Sequence, residues 1–147
     1  MSKKKLFIAA DHAGVGLKAR LVESARELGY EAIDLGTHDE SSVDYPDYAA
    51  EVASRVQRGE GVGILVCGSG VGMSIAANRF KGVRAALCTD PYVAKATRQH
   101  NDANVLCLGA RVVGEGLAEE IFRTFLETPF EGGRHQRHDD GRQQRLG

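Results

Sequence analysis

The stretch "VGILVCGSGVGMSIAANR", residues 62 to 79, decides how the rest of the chain is read. It opens as an apolar run of strand length, Val62–Cys67, turns through three evenly spaced glycines, Gly68, Gly70 and Gly72, and continues as a helical candidate over Met73–Arg79. Strand, glycine loop and helix in that order are the building unit of an α/β sheet. The same alternation recurs on both sides. Upstream, Leu6–Ala10 is an apolar run, and Val15–Leu28 places Leu17, Leu21, Val22, Ala25 and Leu28 at helical spacing before Gly29 stops it. Glu31–Leu35 then reads as a strand and Tyr48–Val56 as a helix. Downstream, Val83–Cys88 and Asn104–Leu108 are strand candidates, and Tyr92–His100 and about Leu117–Glu127 are helical. Five short apolar strands among amphipathic helices predict an α/β fold with a mostly or wholly parallel sheet and helices on both faces.

At 147 residues the chain fits one compact domain, which buries roughly two-thirds of its unfolded surface. A formal charge of −1 gives no global reason to expect nucleic acid or an anionic membrane as partner. No apolar stretch approaches the roughly 20 residues that span a bilayer, and Met1–Lys5 has no signal-peptide character, so a cytoplasmic protein is expected. Cys67, Cys88 and Cys107 form no CxxC pair and read as free thiols. After Pro129 the tail "FEGGRHQRHDDGRQQRLG" is rich in Arg and His and poor in apolar residues. It is either a solvated terminus or a basic arm that folds over an anionic ligand.

In a parallel sheet, ligands bind beyond the carboxyl ends of the strands. "AADHAG" follows the first strand, "CGSGVG" the third, "CTDP" the fourth and "LGAR" the fifth. The glycine loop is either a tight turn that needs positive φ or a cradle in which backbone N–H groups approach an anion. It lacks the Lys-Ser/Thr ending of a P-loop, and Met73 stands where a dinucleotide fingerprint needs its third glycine. Asp90 is only loosely placed as a ribose-binding acid, so a nucleotide-binding module stays as an alternative. Met73 also occupies the arginine position of a cysteine-dependent phosphatase.

Cys67 remains as a thiol at a helix N-terminus, a position that favours thiolate. It is a nucleophile, a general base facing an acidic C–H beside a carbonyl, or the last buried residue of a strand; the base role uses every feature of the loop. Cys88 and Cys107 read as buried hydrophobes. Asp11 is a helix cap or a site acid, His12 lies on the same rim, and His100 is a dipole partner or a catalytic group. Arg111 alone would be a surface charge. No residues have metal-ligand spacing, and neither metal nor cofactor is expected.

Taken in order, "AADHAG", "DYPDYA", "CGSGVGMSIAANR", "RQHNDANVL", "GARVVG" and "EGGRHQRH" resemble the ribose-5-phosphate isomerase B family, the RpiB/LacAB sugar-phosphate isomerases, from about residue 5 to 138. The resemblance implies a Rossmann-like three-layer α/β/α sandwich, a dimer or tetramer with active sites at the subunit interface, and metal-free aldose–ketose isomerisation through an enediolate. It assigns Cys67 as the base and Gly68, Ser69, Gly70, Val71 and Gly72 as the anion hole, with Ser69 where many members have threonine. His100, helped by Asp11, would open the sugar ring, and Asn101 would bind hydroxyls. His12, Arg134, Arg137 or His138, and Arg111 from a partner subunit would hold the phosphate. Cys67 with Met73 places the chain in the cysteine branch, and the His100–Asn101 pair favours ribose 5-phosphate over six-carbon substrates. Residues from about 129 onward would be a basic arm at the interface of a homodimer or tetramer.

Overall fold

The structure is a computed structural model that describes residues 3–37 and 44–132. Arg134, Arg137 and His138 lie outside the described residues. Strands β1 (Lys5–Ala10), β2 (Glu31–Asp34), β3 (Val62–Cys67), β4 (Ala85–Leu87) and β5 (Val105–Gly109) alternate with helices α1 (Val15–Glu27), α2 (Tyr45–Gln57), α3 (Val71–Ala77), α4 (Pro91–Asn101) and α5 (Glu115–Glu127). The strands form one all-parallel sheet in the order β2-β1-β3-β5-β4. It is the expected Rossmann-like α/β/α sandwich. No helix among the described residues is long and apolar enough to cross a membrane.

The three central strands are covered on both faces, which is why they read as continuous apolar runs. On one face Leu6, Ile8, Ile64, Val66, Leu106 and Leu108 pack against α1, α4 and α5. On the other, Phe7, Ala9, Leu65, Cys67 and Cys107 pack against α2 and α3. Strand alternation therefore assigns the Cys67 side chain to the α2/α3 side.

Differences from the predicted boundaries have local causes. Helix α2 starts three residues before Tyr48, because Pro46 in the first turn has the φ that a helix start needs and gives up no useful N–H. Helix α3 starts at Val71 rather than Met73, directly after Gly70 at φ 85°. Strand β4 is shorter than Val83–Cys88: the Val83 amide donates to Phe80 O and the Arg84 amide to Asn104 Oδ1, so neither joins the ladder. The outer edge of β4 is closed by Asn78, whose amide accepts from Ala85 N at 2.8 Å and donates to Ala85 O at 3.0 Å.

Cys88 and Cys107 are buried free thiols. Burial, with Asp90 adding to it, pushes Cys88 up to about 12. Burial also drives Cys107 well above the ordinary thiol range, helped by the neighbouring Cys67 and Cys88. Both stay protonated in the fold while the unfolded chain ionises them above the ordinary value of 9.0. Their contribution to stability is thus complete below that value and is lost as pH rises past it. Urea titrations from about pH 9 to about pH 11 should show a decline of about 1.4 kcal/mol per pH unit per thiol, and the Cys88→Ala/Cys107→Ala chain should lack that part of the slope.

Candidate active site

The chain runs from β1 outward to β2 and then crosses back to β3, so the sheet's switch point lies between β1 and β3. Asp11 and His12 leave β1 there, and Cys67 ends β3 beside them. The Asp11 amide donates to Val66 O at 3.0 Å, which ties the two strand ends together. Its carboxylate Oδ1 accepts from Ala13 N at 2.9 Å and caps the 3-10 turn His12–Gly14. Gly14 is glycine for packing, since a Cβ would stand 2.7 Å from Val66 Cγ1. Beside this turn, His12 Nδ1 is buried without a hydrogen-bond partner among the described residues. Such an orphaned polar atom costs about 1–3 kcal/mol, and a bound group that fills its valence would recover it.

The loop after β3 folds back on its own cysteine. Gly70 N donates to Cys67 Sγ at 3.1 Å, and Val71 N donates to Ser69 Oγ at 3.2 Å. Two of the five expected anion-hole amides thus have partners within the chain, because the turn into α3 needs them. Cys67 is 5% exposed, at the end of the buried strand and beneath the loop. Gly70 meets both requirements for glycine: a left-handed φ, and no room for a Cβ, which would lie 2.5 Å from Leu87 Cδ1.

The loop after β5 is stitched to this one. Ala110 N donates to Cys67 O at 2.8 Å and Arg111 N to Gly68 O at 3.0 Å. A Cβ on Gly68 would be 3.6 Å from Arg111 Nη1, so the guanidinium lies over the chain's own loop. The backbone bond to Gly68 holds the chain's own Arg111 beside this loop.

Sequence reading missed Tyr45. The ring of this first residue of α2 packs on Gly72, where a Cβ would meet Cζ at 2.8 Å and the hydroxyl oxygen at 3.0 Å. Gly72 has an ordinary helical backbone and no turn to make, so the third glycine of the loop is a seat for an aromatic ring. The only signal was Tyr45 within "DYPDYA". Tyr45 is 39% exposed, at the rim of the same pole as Cys67 and Arg111.

His100 and Asn101 are elsewhere. Helix α4 starts at the Asp90 cap, beside the carboxyl end of β4, and its 11 residues rise about 16 Å toward the opposite end of the sheet. There the following turn meets Arg84, just ahead of β4. The root of the basic tail is at this far pole too: Arg98 Nε donates to Thr128 O and Glu131 N to Gln99 O. Within one chain, the structure brings together Asp11, His12, Cys67, the glycine loop and Arg111, and separates them from His100 and Asn101. Among the described residues, no three His, Cys, Asp or Glu side chains converge as a metal site.

Comparison with known proteins places this arrangement. Residues 6–140 match the family model described as Ribose/Galactose Isomerase. The chain is 52% identical over 134 residues to ribose-5-phosphate isomerase B of Escherichia coli, covering 90% of each. Its fold matches that of ribose-5-phosphate isomerase B from Clostridium thermocellum with a TM-score of 0.94 at 48% identity, covering 97% of both chains. The Mycoplasma genitalium ribose-5-phosphate isomerase B with bound ribulose-5-phosphate superposes with the same TM-score at 41% identity, over 99% of this chain and 98% of that one. With the family model matching residues 6–140 and the curated relative matching 90% of the chain, the chain belongs to the ribose/galactose isomerase family.

Proposed function

We propose that this family member interconverts ribose 5-phosphate and ribulose 5-phosphate by metal-free proton transfer in the cytoplasm, with Cys67 as the base. The observation that carries the reading is Cys67 Sγ at the switch point, facing an amide turn and flanked by Asp11, with an arginine over the same loop. The thiolate takes the proton from C2 of the open-chain aldose, and the C2–H electron pair forms the C1–C2 double bond of an enediolate. The negative charge develops on O1, where backbone amides of the Gly68–Gly72 loop stabilise it. Return of the proton from sulfur to C1, with transfer of the O2 proton to O1, gives the ketose. Ser69 and Asp11 are the hydroxyl and carboxyl groups placed to relay that second proton. His12 and Arg111 hold the anionic end of the substrate, and Tyr45 forms the wall beyond Gly72.

Ring opening by His100 and hydroxyl binding by Asn101 require a second copy of the chain, because one chain holds them at the pole opposite Cys67. The tail leaves from that same pole. A two-fold pair, with the far pole of one chain over the Cys67 pole of the other, brings His100, Asn101, Arg134 and Arg137 or His138 to each site. Val71, Ile75, Tyr92 and Val112, all exposed around the Cys67 pole, supply apolar surface for that contact.

Cys67→Ala should lower turnover by at least about 10²-fold, and an unchanged rate would remove the mechanism. Mixing Cys67→Ala with His100→Ala chains by refolding should restore about a quarter of wild-type activity, since half of random two-fold pairs carry one intact site of two. Arg134→Ala should chiefly raise KM for ribose 5-phosphate, as loss of uniform phosphate binding does. Gly72→Ala should lower kcat/KM by displacing the Tyr45 ring, and the Gly72→Ala/Tyr45→Ala chain should be no worse than Tyr45→Ala alone, a non-additivity read in steady-state kinetics.

A further inference from the structure

The turn that carries His100 and Asn101 is held more firmly than a connection between α4 and β5 requires. Two arginines grip it from opposite sides. Arg84 Nε donates to Asp102 O at 2.7 Å, and its Nη2 is 3.3 Å from Asp102 Oδ2. On the other side Arg98 Nη1 donates to Ala103 O at 2.5 Å while its Nε donates to Thr128 O at 3.1 Å, the residue that ends α5. Between the two, Asp102 is held in the left-handed region at φ 51°, the only described non-glycine residue there. Glycine would end the helix without that cost. Aspartate supplies what glycine lacks, a carboxylate for Arg84.

Arg98 is the more unusual member. Among the described residues it accepts partial burial without a carboxylate partner in hydrogen-bond contact, its charge met by two backbone carbonyls and by the face of Phe125, 5.0 Å from the ring centroid. One side chain thereby fixes three things to each other: the last turn of α4, the strand entry at Ala103 and the root of the tail at Thr128. The turn it braces carries His100 and Asn101, which on the shared-site reading serve a pocket that belongs to another chain.

We propose that Arg84 and Arg98 are positioning residues of the isomerase reaction, a clamp that presents His100 and Asn101 to the Cys67 pocket of a second copy. The proposal rests on the shared-site reading above. It touches no substrate atom and acts only through the turn. Misplacing a catalytic group by about 1 Å costs on the order of 10²-fold, so a loosened turn should be visible in kcat while the chain remains folded.

The test uses the full-length chain. Arg98→Met should fold and pair as the wild type does, with kcat lowered at least about tenfold at a temperature well below its thermal midpoint. Mixed with Cys67→Ala chains it should regain about a quarter of wild-type activity, because the intact site joins its own Cys67 to the other chain's clamped turn. Mixed with His100→Ala chains it should regain nothing, since both sites then lack a working turn. A merely structural arginine would not discriminate between the two partners. Arg84→Met should show the same pattern and carries the test if Arg98→Met does not fold. Turnover within twofold of wild type, equal rescue by both partners, or rescue by neither overturns the clamp. If Cys67→Ala and His100→Ala chains fail to rescue each other, the shared-site reading falls first and the clamp with it; if they succeed, any failure belongs to the clamp alone.

Discussion

The site depends on how closely two loops approach at the end of the sheet. Gly109, the last residue of β5, has no Cβ because one would stand 2.5 Å from Ser69 O. That contact lets the loop after β3 lie across the end of β5, where Ala110 N and Arg111 N bind the Cys67 and Gly68 carbonyls. Once the loops are stitched, the rest follows. Gly70 must turn left-handed to enter α3, its amide falls on Cys67 Sγ, and Arg111 is carried over Gly68. A side chain at position 109 would lift the loop and separate the sulfur from its donor.

The same geometry explains why two of the three cysteines are inert. Cys107 lies two residues back along the neighbouring strand on the same face as Cys67, deep in the core, where water cannot stabilise a thiolate. Cys88 is on the opposite face and equally buried. Only Cys67 reaches the strand terminus, where a backbone donor and the ends of two loops surround it. Position along the strand, rather than residue type, separates the thiol at the strand end from the two core ones.

The glycine loop shows how a single motif can serve several masters. Gly68 makes room for Arg111, Gly70 supplies a backbone angle and avoids Leu87, and Gly72 seats Tyr45. None of these reasons requires an anion. The amides to which the proposed mechanism assigns the developing charge are a by-product of a turn that packing already demands.

The linear chain was enough for the sheet, its parallel sense and the strand ends that carry chemistry, because hydrophobic periodicity is local and buried central strands such as Ile64–Val66 and Leu106–Leu108 show it plainly. It also marked Asp11, His12, Cys67 and Arg111, each directly beyond a strand and so at one pole by the geometry of a parallel sheet. The motif order around residues 66 to 79 and 98 to 106 pointed to the family. What it left open was decided by packing between segments far apart in sequence. Tyr45 meets Gly72 only because α2 and α3 cover the same face of the sheet. Asp102 tolerates a left-handed backbone beside Arg84, and His100 stands a helix length from Cys67, because α4 runs antiparallel to the strand before it. Such distances arise from the direction in which elements return across the sheet, which no local pattern of residues encodes.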